Sequence, residues 1–151
     1  MAITGAKTDY FETGLLGTVF RGDSSIPATT NLYVGLWTGA GTITTPADNS
    51  SYPGDEVAAG RNYARVAVNG NFAAPAAVVG GASTISNSNV LNFGTSNHPD
   101  GWGDVTGFFV GVGNTIGAGD VIYYGTFDQK RTVSTGDSVR INIGNLTIKE
   151  D

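Results

Sequence analysis

The sequence predicts an all-β fold: an antiparallel β-sandwich or jelly-roll-like arrangement with one short N-terminal helix. Three observations predict it. From residue 32 onward, apolar residues recur with a period of two in several short runs. Turn-rich segments of Gly, Ser, Asn, Asp and Pro separate those runs. Helical spacing is convincing in one place only, residues 9–21. At 151 residues the chain is most naturally one structural domain. It divides into an N-terminal helical arm, residues 1–22, and a β-sandwich domain, residues 23–151.

The helix comes first in the chain. In "DYFETGLLGTVFR", Asp9 can serve as N-cap with Glu12 three residues later, a pairing of capping-box type. Phe11, Leu15, Leu16, Val19 and Phe20 recur at helical spacing and form one apolar stripe. Gly14 and Gly17 each weaken the helix by up to ~1 kcal/mol relative to alanine, so it forms by docking, and Gly22 suits the position just past its end. Two roles are open to it: capping the end of a sheet, or docking on a neighbouring subunit.

The strands follow. Leu32, Val34 and Leu36 alternate with Tyr33, Gly35 and Trp37, and Ala64, Val66 and Val68 alternate with Arg65 on the opposite face. Further runs are "VLNF" (90–93), "VTGFFVGV" (105–112), "VIYYGTF" (121–127) and "SVRINIGNLTI" (138–148), the last with a bulge expected at Gly144-Asn145. Several strands carry an awkward second face. A sheet with water on one side would show Lys, Glu or Thr where Tyr33, Gly35 and Trp37 stand. A second packed sheet accounts for part of this, and a subunit interface could account for the rest. The stretch 45–60 is the longest expected loop and a natural place for contact with another molecule.

Composition excludes several function classes. The net charge of −5 and the scattering of the eight Lys and Arg argue against binding a phosphate backbone. Charged residues are 14%, well below the ~25% of an average soluble domain; a surface so sparsely charged suits a protein packed against neighbours. Without cysteine there is no disulfide, zinc thiolate or thiol nucleophile. No apolar run approaches the length of a membrane span, and no leader-like pattern opens the chain. Synthesis and folding in a cytoplasm is the expectation.

Chemistry would have to come from "NHPDGWGDVTGFF" (97–109), which holds the only histidine. His98 with Asp100 and Asp104 is a poor transition-metal set, and the spacing is not that of a calcium loop. Pro99, Gly101 and Gly103 read as turn residues, with Trp102 as the side chain that anchors the turn against the core. No G-x-S-x-G elbow exists. The acids Asp55-Glu56 fall in a polar loop and are expected to be solvated. "GVGNTIGAG" (111–119) imitates a dinucleotide fingerprint, but no amphipathic helix follows, so it reads as a hairpin loop. No catalytic residue, metal ligand or cofactor is expected.

The order of landmarks resembles a widespread family of small tailed-phage virion proteins, usually labelled tail-fibre proteins; some proteins of similar size and β-rich type serve as capsid cement. The landmarks are "TDYFETGLLGTVFRG", "LYVGLWTG", "RNYARVAV", "VLNFG", "WGDVTGF" (102–108), "IYYGTF", "VSTGD" (133–137) and "GNLTIKED" (144–151). Where family members often carry histidine before the phenylalanine of the tryptophan landmark, this chain has Gly107. The resemblance implies a virion structural protein and no enzymatic activity. The reading placed first is a capsid cement or decoration protein that binds the major capsid protein lattice and itself, as a homo-trimer or other cyclic oligomer, on the head surface. The alternative is a tail-fibre or baseplate component that contacts host glycans, with Trp37, Trp102 or Tyr52 stacking on sugars; a glycan hydrolase ranks last. Candidate interface residues are Tyr10, Phe11, Tyr33, Trp37, Tyr52 and Tyr124. Neither nucleic acid nor membrane is an expected partner.

Overall fold

The computed structural model describes residues 3–7, 9–22, 31–38, 56–77 and 83–150. Its elements are β1 (Ile3–Lys7), α1 (Asp9–Arg21), β2 (Leu32–Thr38), β3 (Val66–Ala67), β4 (Ala76–Ala77), β5 (Ser83–Ser86), β6 (Leu91–Thr95), β7 (Gly103–Val112), β8 (Val121–Val133), β9 (Ser138–Ile141) and β10 (Thr147–Glu150). The fold is all-β with one short helix, and every strand pairing is antiparallel. A five-stranded sheet runs β1-β8-β7-β2-β3; a three-stranded sheet runs β10-β5-β4, and β6 pairs with β9.

Alternation along the central strands builds two cores of unequal size. On one face of the large sheet, Val34 stands opposite Val110 and Leu36 opposite Phe108. This face joins Leu91, Phe93, Ile141 and Leu146 of the smaller sheets and their turns, together with Trp102 and Tyr63, in the main core. The other face carries Gly35, Phe109 and Tyr124 in one cross-strand row. There Trp37, Phe109 and Val121 form a second, small core with Tyr124 packed against it.

The awkward second face of β2 is therefore covered in part within the chain. Trp37 is only 2% exposed and lies against Phe109 with ring centroids 5.0 Å apart. Gly35 makes this possible, because a Cβ there would sit 2.2 Å from the Phe109 ring. Trp37 is thus corrected as a surface residue, while Trp102, 3% exposed, lies in the main core where a turn anchor is expected; neither ring is open for stacking on a sugar. Tyr33 and Tyr124 are half-buried. Tyr52 lies outside the described residues, as does the side chain of Tyr10.

The expected run 138–148 divides in two. Asn87, 1% exposed, donates to the Asn142 carbonyl and accepts from Leu146 N–H. Its own backbone carbonyl accepts from Gly144 N–H. With Gly144 at φ 75°, the chain turns over residues 142–146 and continues as β10 in another sheet. A full turn replaces the expected bulge, because one buried side chain supplies the partners that a straight ladder would have supplied.

Gly107 stands at a register shift between β7 and β8, and a Cβ on it would meet the Gly125 carbonyl oxygen at 2.2 Å. Only a residue without a side chain lets β8 approach so closely. Gly107→Ala is expected to destabilise the fold by about 1–3 kcal/mol, read from the midpoint of a urea titration at unchanged slope. An unchanged midpoint would mean that the bulge yields at no cost.

Candidate functional site

Two places in the molecule depart from what an ordinary domain does with its side chains. One is a charged pair inside; the other is an apolar helix face outside.

The pair is Glu56 and Arg65, each with its side chain 1% exposed. Glu56 falls inside the expected loop 45–60, yet it makes an isolated bridge to Trp37 of β2. Arg65 lies on the short approach to β3, on the face opposite Val66. The contact is bidentate: Arg65 Nε donates to Glu56 Oε1 and Arg65 Nη2 to Oε2, both at 2.8 Å. The remaining capacity of the carboxylate is used as well. Tyr63 Oη donates to Oε1 at 2.7 Å and Gly117 N–H donates to Oε2 at 2.7 Å. On the other side, Arg65 donates to the carbonyls of Gly113 and Ala118, and its guanidinium lies 5.0 Å from the centre of the Phe109 ring.

These bonds clasp the loop between β7 and β8. The stretch 113–118 is a hairpin loop, and three of its backbone groups end on this one ion pair. The expectation that Glu56 is solvated in a polar loop is therefore corrected. A buried carboxylate is tolerated when a guanidinium and further donors replace its water, and Glu56 accepts four hydrogen bonds. Tyr63 completes the network by accepting from Leu36 N–H at 2.9 Å. Burial, reinforced by the negative charge of Glu56, pushes the Tyr63 hydroxyl far above the usual phenol range. No local sequence pattern marks this pair, because the partners that bury Glu56 include a backbone amide of the 113–118 loop.

The turn at 97–102 is built from backbone contacts. His98 contributes its carbonyl, which accepts from Gly101 N–H and from Thr135 Oγ1, while its Nδ1 accepts from Asp100 N–H at 3.2 Å. Asp104 belongs to a different group on the surface, where Lys130 and Thr132 hydrogen-bond to it and hold its carboxyl below the usual carboxylate range. Asp104 thus stands apart from His98 and Asp100, whose side chains approach to 3.6 Å. Trp102 packs edge-on to Tyr63, and its indole N–H donates to the Arg61 carbonyl at 2.8 Å. Among the described residues, no group of three or more His, Asp or Glu is placed to hold a metal ion.

The second feature is α1. It spans the expected 9–21, yet its orientation is the reverse of the usual amphipathic helix. Gly14 is buried and Phe11 half-buried, with Phe11 against Tyr123 of β8 at a centroid distance of 5.2 Å. The expected apolar stripe points outward instead: Leu16 is 59%, Val19 64% and Phe20 79% exposed, and Leu15 37%. Among the described side chains, Phe11 joins the helix to the sheet, while Leu15, Leu16, Val19 and Phe20 are exposed.

A family model described as podophage GP4 fiber I protein gp80 matches residues 6–149. The chain belongs to this fibre-protein family. It is accordingly a phage virion structural protein, and the match covers α1, both cores and the Glu56–Arg65 clasp. No curated protein matches the chain.

Removing one partner of the clasp leaves a buried charge unpaired. Arg65→Met is expected to cost about 3–5 kcal/mol, and the double variant with Glu56→Leu less than the sum of the two single changes, read by urea denaturation. The Tyr63 hydroxyl titrates higher in the folded chain than unfolded, so its contribution is complete below about pH 10 and is lost as pH rises beyond that. In an alkaline titration followed at 295 nm, Tyr63 should ionise only together with unfolding, and Tyr63→Phe should remove that part of the signal.

Proposed function

We propose that the chain is a building block of a phage tail fibre, joined to copies of itself and to neighbouring tail proteins. The observation that carries this reading is the fibre-family match over residues 6–149, taken with a helix whose apolar side faces outward. The match favours the tail-fibre alternative over the capsid-cement reading that the short, acidic chain first suggested. The titratable side chains brought together inside are spent on each other and on backbone groups, which supports a role in assembly over one in catalysis. The role proposed is construction more than sugar recognition, since two of the three aromatic residues nominated for sugar stacking, Trp37 and Trp102, are buried.

Immunogold labelling of intact virions with antibody against this chain tests the proposal. Gold confined to the tail is expected. Gold spread over the head would overturn the fibre reading and return the chain to the capsid lattice.

A further inference from the structure

Asparagine followed by glycine occurs once in the chain, at Asn69-Gly70, and aspartate followed by glycine once, at Asp100-Gly101. The two sites are built in opposite ways. Gly101 N–H donates to the His98 carbonyl at 2.9 Å, and a Cβ on Gly101 would meet the Val133 carbonyl oxygen at 2.0 Å. Gly70 has open space where its Cβ would stand, and its N–H has no acceptor among the described residues. Asn69 is exposed, and no described residue holds its carboxamide. By contrast, Asn62, Asn71, Asn87 and Asn89 each donate theirs to a backbone carbonyl.

We infer that Asn69 is a self-modification site, at which the folded chain converts asparagine to isoaspartate through a succinimide formed with Gly70. The Gly70 nitrogen, after giving its proton to hydroxide, attacks Cγ of Asn69 and closes a five-membered ring. The Cγ–Nδ2 bond breaks, and the nitrogen leaves as ammonia with a proton from water. A second water then opens the ring. Addition at Cγ gives aspartate; addition at the main-chain carbonyl carbon of residue 69 leaves the backbone running through Cγ, as isoaspartate. Nothing is oxidised or reduced. Glycine matters at position 70 because its nitrogen is unshielded and its backbone rotates out of φ 77° at no steric cost.

The place of this turn in the fold gives the change a consequence. Residues 68–71 are closed by Asn71 N–H on the Val68 carbonyl at 3.0 Å, just after β3, the edge strand of the large sheet. The turn is tied to the stretch before β6. Asn89 Nδ2 donates to the Gly70 carbonyl and Ser88 N–H to the Asn71 carbonyl, both at 2.8 Å. Isoaspartate inserts one more carbon into the main chain between Val68 and Gly70, so the closure and both ties lose their alignment. The net charge of −5 also becomes one unit more negative. The inference stands on this turn alone and holds whether the protein sits on the tail or the head.

The test incubates the full folded chain at mildly alkaline pH. Isoaspartate is followed by enzymatic methylation and located by fragmentation of the chymotryptic peptide 64–72, which lies between Tyr63 and the cleavage after Phe72. It is expected at Asn69 ahead of every other asparagine and of Asp100, with release of ammonia, and Asn69→Gln should abolish it. The modified fraction, separated by its extra charge, should unfold at lower urea than the fresh chain. Asn69→Asp adds the charge without the extra carbon and should unfold where the fresh chain does. Isoaspartate that accumulates at Asn69 only when the chain is held unfolded in urea would overturn the inference. So would equal accumulation at Asp100, or a modified fraction whose midpoint is unchanged.

Discussion

The bidentate contact between Glu56 and Arg65 is the interaction on which the rest of the structure depends. Three separate stretches of chain meet at it: Glu56, bridged to β2, the approach to β3, and the loop between β7 and β8. It also joins the two cores, since Tyr63 of the main core donates to Glu56 and Arg65 stacks on Phe109 of the small one. A buried ion pair rarely adds much net stability over a well-packed apolar substitute. What it does here is restrict alternatives. A hairpin slipped by one residue would leave Gly113, Gly117 and Ala118 without partners, and would leave two charges in the interior with unsatisfied bonds. The clasp therefore sets the register of β7 on β8, the longest pairing among the described residues.

Much of this architecture was legible in the sequence. The period of two along 32–37, 105–112 and 121–127 located three adjacent strands of the large sheet, and α1 begins and ends where helical spacing and Gly22 place it. What stayed hidden depended on residues far apart in the chain. Glu56 looked solvated because its neighbours are polar; its burial follows from Arg65 and from a loop sixty residues on. The run 138–148 looked continuous because Asn87, which turns it, contributes nothing to its local pattern. Strands β1, β4 and β5 are built largely from Ala, Ser, Thr and Gly, with a single isoleucine each in β1 and β5, so their weak alternation gives no signal until a partner strand is present.

The helix offers the opposite lesson. Its apolar stripe was readable, but its direction was not. Periodicity shows which residues share a face; it does not show what that face meets. The inward side of α1 is held by Phe11 on Tyr123 and by the small residue Gly14, so its larger apolar residues point outward. The interior ion pair and the outward apolar side of α1 are the two features in which this chain departs from an ordinary domain.

The measurement that tests this account most directly is native-state hydrogen exchange of the isolated protein, resolved at Gly117. Its N–H lies in an exposed loop yet donates to a buried carboxylate. If the clasp organises the fold, this amide should exchange as slowly as those of β7 and β8, through global unfolding alone. Exchange at the rate of an ordinary surface loop would show that the hairpin closes without the ion pair, and would remove Glu56 and Arg65 from the centre of the structure.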